Sequence, residues 1–298
     1  MTDSIAAMDS THSPGRSIVE CVTHAVATLE AAGLTHESAR QDAGVIARHV
    51  LGWNLEHWLG HQRDVAPEGF DRDFAALIAR RASREPVHYI TGEREFYWRN
   101  FAVTPAVLIP RPETEMLVEA ALMATGAHRF PLIVDVGTGS GCIAVTMAAE
   151  LPTVQVVATD ISANALVVAA ANAARHGVAE RITFTRGAYF AGLSRPVDII
   201  LSNPPYVPER DRSTMAPEVE AHEPREALFS GNDGLDCIRS LVALSPEHLS
   251  SGGTLMFEFG FDQADKIKQL IACQPDLRLI ELRPDLQGIP RIAIAIRT

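Results

Sequence analysis

Hydrophobic residues recur every three or four positions in the first part of the chain, which is the spacing of helices with one buried face. A capping box formed by Ser17 and Glu20 marks the start of the first such segment, and Gly33 supplies its end. The pattern indicates a small helical bundle over residues 17–85. Three more helices are predicted in it, one after Thr35, one after Asn54 and one from about Pro67 to Ser83.

The hydrophobic period changes after the bundle. Alternating residues at 88–97 and 101–103 predict a β-hairpin with Arg99 and Asn100 at its turn. We therefore expect residues 86–106 to form a hairpin linker between the bundle and the rest of the chain.

Short apolar strands alternate with amphipathic helices from residue 107 to residue 298. This alternation is typical of an α/β protein with a doubly wound, Rossmann-like sheet, which binds ligands at the carboxyl ends of its strands. Helices are expected over residues 142–150, up to about His248 and after Asp262. The strands are predicted at residues 132–136, 156–160, 182–184, 197–201, 254–259, 277–282 and 292–296.

A glycine-rich turn connects the first of these strands to the helix that follows it. Glycine lets the backbone approach a ligand closely, and the N-terminus of a helix favours polar groups with negative charge. Asp160 ends the next strand, 23 positions after Gly137, a spacing that suits an acid binding ribose hydroxyls. The turn consists of Gly137, Thr138, Gly139, Ser140 and Gly141.

Two classes of cofactor use a turn of this kind. A dinucleotide fingerprint requires Gly or Ala three positions after the second glycine, where this chain has Cys142. Asp135, two residues before the first glycine, fits an S-adenosylmethionine site instead. The sequence favours the methyl donor, and a nicotinamide enzyme is the alternative.

The segment Asn203-Pro204-Pro205-Tyr206 follows the buried strand 197–201. Two prolines make this loop stiff and end the strand at the ligand-binding edge of the sheet. The side-chain carbonyl of Asn203 and the backbone carbonyl of Pro204 can accept the two hydrogens of a planar amino group, on which the ring of Tyr206 can stack. These four residues are the candidate catalytic and substrate-binding residues.

Tyr189 follows the predicted strand 182–184, at the same edge. It can flank an adenine there or serve as a core aromatic residue, and the sequence leaves both open. The long polar loop after Tyr206 contains His222-Glu223-Pro224 and residues 231–235, and loops of this length at a ligand edge are commonly lids or substrate walls.

Composition excludes several kinds of function. The formal net charge is −11, and Lys266 and Lys268 are the only lysines, so the sequence has no basic stripe that could follow a nucleic-acid duplex. The five histidines of the bundle lie on several separate segments, so we expect core and surface histidines and no metal site. The four cysteines are too far apart for a zinc ribbon or a redox pair: Cys21, Cys142, Cys237 and Cys273.

Residues 1–16 are polar and lack the apolar stretch of a signal peptide, so we expect a disordered lead there. No stretch of 18 consecutive apolar residues occurs, so we expect no membrane span. These features favour a cytoplasmic protein with reduced thiols, and we expect it to be a monomer.

Several motifs together resemble the HemK/PrmC family, the methyltransferases that modify the glutamine side-chain amide of peptide-chain release factors. The Asn-Pro-Pro-Tyr segment alone is shared with nucleic-acid amino-methyltransferases, but its combination with PRPETE and a helical N-terminal domain is more specific. The matching segments are residues 86–96 (PVHYITGEREF), 108–115 (LIPRPETE), 135–144 (DVGTGSGCIA) and 203–206 (NPPY), together with Glu223-Pro224, Ala227-Leu228 and Glu258-Phe259-Gly260.

The resemblance implies a class I methyltransferase sheet that transfers methyl from S-adenosylmethionine to the N5 nitrogen of a release-factor glutamine, with S-adenosylhomocysteine as product. The helical domain would help to recognise the release factor, and no direct contact with nucleic acid is expected. The acid that often contacts the adenine amino group is replaced here by Ala188. By the same resemblance, Gly137, Thr138, Gly139, Ser140 and Gly141 would hold the methionine part, Asp160 the ribose and Tyr189 the adenine, while Asn203, Pro204, Pro205 and Tyr206 would clamp the amide and Asn203 would also contact the donor.

Two other functions stay open at this point. The same clamp could hold the exocyclic amine of adenine (N6) or guanine (N2), although the acidic composition disfavours an enzyme that grips nucleic acid. A protein that binds the methyl donor as a sensor would need no amide clamp, which disfavours that function too.

Overall fold

The structure, a computed structural model, describes residues 16–125 and 131–298. The predicted lead over residues 1–16 lies outside the described residues except for Arg16. The chain divides into two compact units, and the division falls between Thr91 and Gly92.

The first unit is helical. The predicted N-caps are confirmed: Ser17 and Glu20 form a capping box, Thr35 accepts from Ser38 N, and Asn54 accepts from His57 N. Its core is apolar and includes a stacked pair, Phe70 and Phe74. A buried ion pair also forms in this unit, between Arg81 and Asp42 at 2.6 Å. The helices are α1 (Ile18–Ala31), α2 (His36–Leu51), α3 (Leu55–His61), α4 (Phe70–Ala82) and α5 (Val87–Thr91).

The hairpin prediction was wrong in its first strand and in its turn. Residues 87–91 form α5, because the Pro86 carbonyl accepts from two successive backbone N–H groups and starts a helical turn. The hairpin consists of β1 (Glu93–Phe96) and β2 (Arg99–Ala102), joined by Tyr97 and Trp98. Both joining residues have positive φ, 47° and 63°, as a two-residue hairpin of right-handed twist requires.

The second unit contains the predicted doubly wound sheet. Its strand order is β5-β4-β3-β6-β7-β9-β8, and every neighbouring pair is parallel except those that involve β9. The strands are β3 (Leu132–Val136), β4 (Gln155–Asp160), β5 (Ile182–Arg186), β6 (Val197–Ser202), β7 (Leu249–Glu258), β8 (Leu277–Pro284) and β9 (Pro290–Arg297). The helices are α6 (Glu115–Thr125), α7 (Cys142–Glu150), α8 (Ala163–Arg175), α9 (Pro217–His222), α10 (Asp236–His248) and α11 (Ala264–Ala272).

Both faces of the sheet are covered, which explains why most positions of its central strands are apolar. Ile133 and Ile199 belong to one hydrophobic cluster, and Val134 and Ile200 belong to the other. The chain order of the strands reverses between β3 and β6. In doubly wound sheets this switch point is where ligands bind, so the fold places the site at the carboxyl ends of β3 and β6.

In the part of the chain that the structure describes, no helix is long and apolar enough to cross a membrane. Nor do the described His, Cys, Asp and Glu side chains form a group of three that could hold a metal ion. His57 and His61 instead stack on each other, with ring centroids 4.2 Å apart and Trp53 against their edge.

Candidate active site

A cavity of about 260 Å³ opens at the carboxyl ends of β3, β4 and β6. Its walls come from the glycine turn, from the residues that follow β4 and β5, and from the Asn-Pro-Pro segment after β6. Most of the predicted site residues lie together here: Gly137, Thr138, Gly139, Ser140, Asp160, Tyr189, Asn203, Pro204 and Pro205 line this cavity. Gly141 and Tyr206 are not among its lining residues.

The glycine turn is held by backbone hydrogen bonds and leaves open space on its cavity side. The N–H groups of Gly137 and Thr138 both donate to the Thr159 carbonyl at 2.9 Å. Gly137 and Gly139 have positive φ, and a Cβ at either position would meet no atom within 4 Å. A side chain there would project into the cavity or into solvent, so glycine keeps the backbone accessible to a ligand.

Gly141 serves a different purpose from the other two glycines. It precedes α7 with φ 80°, and a Cβ built on it would lie 3.0 Å from the Cβ of Ala169 on α8. Glycine therefore lets α7 and α8 approach each other at this point, and Gly141 supports the turn without lining the cavity.

Asp160 links the turn to the next helix. Its Oδ2 accepts from the Gly139 N–H and its Oδ1 accepts from the Ser162 N–H, both at 2.9 Å. Ser162 is in turn the N-cap of α8. Each carboxylate oxygen keeps a further lone pair, so Asp160 can also accept hydrogen bonds from a ligand's hydroxyl groups in the cavity.

Asp135 lies beneath the turn and is completely buried. Its Oδ2 accepts from Thr138 Oγ1 at 2.6 Å and from Ala144 N at 3.2 Å. Its Oδ1 has no hydrogen-bond partner among the described residues. Burial raises the pKa of this carboxyl to about 7, because the charged form loses its hydration.

Tyr189 lies between the cavity and the core, and its contact with an adenine stays a prediction. It lines the cavity, and it also packs against the hydrophobic cluster on that face of the sheet. Its φ is 50°, a conformation that non-glycine residues rarely adopt, and its carbonyl accepts from Thr159 Oγ1 at 2.6 Å. Ala188 lines the cavity beside it, so no carboxyl group is available from that position.

Asn203 lines the cavity, and its side-chain amide is hydrogen-bonded to a buried hydroxyl. Its Nδ2 donates to Thr114 Oγ1 at 3.0 Å, and Thr114 Oγ1 donates to Glu258 Oε2 at 2.7 Å. The sequence alone predicts no role for Thr114 or Glu258. Both stand in the matching segments LIPRPETE and EFG, but no local pattern connects two residues 144 positions apart.

The Tyr206 ring is anchored away from the cavity wall. Its hydroxyl donates to Glu258 Oε1 at 2.9 Å, and burial, followed by the nearby Glu258 charge, raises the pKa of that hydroxyl. Its backbone carbonyl accepts from Gln263 Nε2 at 3.0 Å. Tyr206 therefore holds the end of the proline loop, and its place as a stacking surface for substrate stays a prediction.

An ion pair between a buried carboxylate and a partly exposed arginine fixes another wall of the cavity. Glu223 accepts from the Ile109 N–H at 3.2 Å and from Arg111 Nη2 at 2.6 Å. This pair joins the segment that contains Pro110 to the long loop that contains Pro224, and both prolines line the cavity. The loop that the sequence predicts as a lid or substrate wall thus contributes to the cavity.

This arrangement suits methyl transfer to a flat nitrogen group. The glycine turn, the Asp160 carboxylate, the Asn203 side chain and the stiff proline loop all line one cavity. The unobstructed glycine turn could hold the methionine part of S-adenosylmethionine, and Asp160 has acceptors for its ribose hydroxyls.

Two family models match the chain. One is described as the PrmC N-terminal domain and matches residues 20–92, and the other is described as the methyltransferase small domain and matches residues 113–234. A release factor glutamine methyltransferase of Cereibacter sphaeroides is 42% identical over 271 residues, which cover 91% of this chain and 95% of the relative. The chain belongs to the release factor glutamine methyltransferase family.

Other members of the release factor glutamine methyltransferase family are similarly close. The one from Nitratidesulfovibrio vulgaris is 41% identical and the one from Bordetella pertussis 40%, over 92% and 85% of this chain and 93% of each relative. A methyltransferase of this family and sheet takes its methyl group from S-adenosylmethionine, so the preference for a methyl donor over a nicotinamide cofactor is confirmed.

Solved structures confirm the fold. The hMettl16 catalytic domain, solved in complex with the MAT2A 3'UTR hairpin 1, matches with a TM-score of 0.55 and 15% identity, over 74% of this chain and 80% of that one. A methyltransferase from Pyrococcus furiosus matches with a TM-score of 0.50 and 15% identity, over 67% of this chain and 90% of that one. At these identities the likeness concerns the class I methyltransferase sheet alone.

Proposed function

We propose that this chain transfers the methyl group of S-adenosylmethionine to the side-chain amide nitrogen, N5, of a glutamine in a peptide-chain release factor. The observation that carries the proposal is the Asn203-Pro204 corner, which lines the same cavity as the glycine turn and Asp160. Membership of the release factor glutamine methyltransferase family supports the same substrate.

The amide nitrogen of glutamine is a poor nucleophile, because its lone pair is delocalised into the carbonyl. Asn203 Oδ1 and the Pro204 carbonyl accept its two N–H groups, which raises the electron density on nitrogen and fixes the direction of its lone pair. Holding the nitrogen about 3 to 3.5 Å from the reacting carbon supplies the gain from proximity. When bound, S-adenosylmethionine supplies an electrophilic methyl group and leaves as S-adenosylhomocysteine.

Neither acceptor keeps a proton, so no general base is assigned. After transfer the nitrogen carries one hydrogen too many, and that proton leaves to water. Pro205 and Tyr206 keep the corner rigid, while Gly137, Gly139 and Asp160 hold the donor.

We extend the proposal to the rest of the chain. The helical bundle helps to recognise the release factor, and the enzyme works as a monomer in the cytoplasm without direct contact with nucleic acid. The net charge of −11 supports the last point, because nucleic-acid binding requires a positive surface.

The proposal is tested by incubating the purified chain with labelled S-adenosylmethionine and a release factor. Mass spectrometry of the release-factor peptides then locates the added methyl group. We expect one added methyl group on an exposed, glycine-flanked glutamine and none when that glutamine is replaced by Ala. A parallel reaction with DNA and RNA tests the exocyclic-amine alternative. Label on nucleic acid, with none on the release factor, would overturn the proposal, and donor binding without transfer to any substrate would favour a sensor.

A further inference from the structure

The Asn203 side chain must present its oxygen to the substrate. An amide has an accepting end and a donating end of nearly equal size, so a rotation of 180° about its last bond exchanges them. With Nδ2 in the cavity, two NH₂ groups would face each other and the clamp would repel the substrate amide. Something in the protein therefore has to select one of the two orientations.

The Thr114 hydroxyl is placed to make that selection. It has a single hydrogen, and that hydrogen is donated to Glu258 Oε2 at 2.7 Å. Towards Asn203, 3.0 Å away, Thr114 Oγ1 can only accept. Nδ2 satisfies that acceptor, whereas a rotated amide would set Oδ1 against an oxygen with no hydrogen left to give.

Glu258 fixes the direction of the whole chain of hydrogen bonds. It is 2% exposed, and both of its oxygens accept, one from Thr114 and the other from the Tyr206 hydroxyl at 2.9 Å. A protonated carboxyl would use one oxygen as a donor and reverse one of these bonds. The network thus requires the carboxylate form of Glu258.

The surroundings of Glu258 include groups that raise the pKa of its carboxyl and groups that lower it. Burial raises the pKa of its carboxyl most, and the hydrogen bonds from Thr114 and Tyr206 lower it. The nearby Glu113 raises the pKa further, while Arg291 on β9 lowers it. Protonation of Glu258 therefore begins at a higher pH than for an exposed glutamate.

We propose that Thr114, held by the Glu258 carboxylate, is the positioning residue that turns the Asn203 amide so that Oδ1 faces the substrate nitrogen. The inference rests on the proposed function and explains how this chain prepares the clamp before substrate binds. It also assigns a role to the threonine of LIPRPETE and the glutamate of EFG, which are both far from Asn203 in the sequence.

The first experiment compares Thr114→Val with Thr114→Ser. Valine has the shape of threonine without the hydroxyl, so Asn203 loses its acceptor and kcat for methyl transfer falls about 10-fold or more. Serine restores the hydroxyl and returns kcat to within about 3-fold of the wild type. Calorimetry should give unchanged affinity for S-adenosylmethionine in both variants.

Thr125→Val is the matched control. Thr125 is also buried and lies at the other end of α6, where its hydroxyl donates to the Leu122 carbonyl at 2.8 Å. Its loss removes one buried hydroxyl without touching the cavity, so kcat should stay at the wild-type value. Equal losses in Thr114→Val and Thr125→Val would mean that Thr114 has only a structural role and would overturn the inference.

The second experiment does not depend on how well Thr114→Val folds. In the wild type, kcat should fall as the pH is lowered through the pKa of Glu258, because a protonated carboxyl no longer accepts from both hydroxyls and the Thr114 hydrogen loses its fixed direction. Glu258→Gln carries no titrating group at this position, so its kcat should lack that fall.

A Glu258→Gln variant that keeps the same fall in kcat at low pH would overturn the inference. So would a Thr114→Val variant as active as the wild type. Neither result affects the proposed function, which requires only that the wild type methylates the release factor. A wild-type chain that transfers no methyl group would instead overturn the proposed function and the inference with it.

Discussion

The Gly139 N–H donates to Asp160 Oδ2 at 2.9 Å, so the acid at the end of β4 holds the glycine turn at the end of β3. The same carboxylate accepts from the Ser162 N–H through its other oxygen. An acid expected to bind the donor thus also shapes the turn expected to contact the donor. Loss of Asp160 should therefore disturb two parts of the donor site at once.

Asp160→Ala is expected to weaken S-adenosylmethionine binding by about 10-fold or more, because charged hydrogen bonds of this kind contribute about 1.5 to 3 kcal/mol. Calorimetry measures the effect. Asp198→Ala is the matched control, since Asp198 Oδ2 also accepts from a backbone N–H, that of Leu132 at 2.9 Å, but lies outside the cavity lining. Unchanged donor affinity in Asp160→Ala would remove Asp160 from the site.

Asn203→Ala should reduce kcat about 100-fold or more, which is the loss seen when one preorganised hydrogen-bonding group is removed from an active site. Most contacts with the donor are expected from the glycine turn and Asp160, so the affinity for S-adenosylmethionine should change little. Steady-state kinetics with a release factor and calorimetry with S-adenosylmethionine separate the two effects. A variant with near-normal turnover would contradict the amide clamp.

Asp135→Asn should make the free energy of unfolding less dependent on pH between about 4 and 7. Burial raises the pKa of Asp135 from 3.8 to about 7, so the folded state binds a proton that the unfolded state has released. The free energy of unfolding therefore falls as the pH rises through this range, by an amount on the order of a few kcal/mol. Asparagine keeps one oxygen for Thr138 and Ala144 and does not ionise.

Urea unfolding of the wild type and of Asp135→Asn at pH 5 and pH 8 measures this difference. Relative to the wild type, the variant should gain stability as the pH rises. If the wild type and the variant differ in free energy of unfolding by the same amount at both pH values, Asp135 does not titrate in this range.

Gly141→Ala should destabilise the protein more than Gly177→Ala. Both glycines have positive φ, 80° and 68°, so alanine costs about 1 to 2 kcal/mol in conformation at either site. Only the Cβ at position 141 would also approach Ala169, to 3.0 Å from its Cβ and 3.1 Å from its Cα. Thermal and urea unfolding compare the variants, and equal losses would show that α7 can move away from α8.

Local signals in the sequence determined where several helices and strands begin or end and which residues are candidates for the site. Helix α7 begins and ends where the sequence predicts, at Cys142 and Glu150, because the glycine turn before it sets the start. Pro204 and Pro205 stop the chain from continuing as a strand, so β6 ends at Ser202, at the carboxyl end of the sheet. Candidate residues such as Asn203 and Asp160 could be named from the sequence because each directly follows or ends an apolar strand.

The tertiary structure decided the features that depend on distant partners. The hairpin turn lies at Tyr97 and Trp98, and the Tyr97 N–H is held by Glu115 Oε1 at 2.9 Å, 18 positions away. No local turn signal marks two aromatic residues with positive φ.

The orientation of the Asn203 amide is decided in the same way. It depends on Thr114 and Glu258, which the chain brings together only when β7 pairs beside β6. The sequence determines which chemical groups the strands deliver to the edge of the sheet, since strands and turns are local. Which group donates and which accepts is decided by buried contacts between segments far apart in the chain, because a buried polar atom has to be satisfied by the neighbours that folding provides.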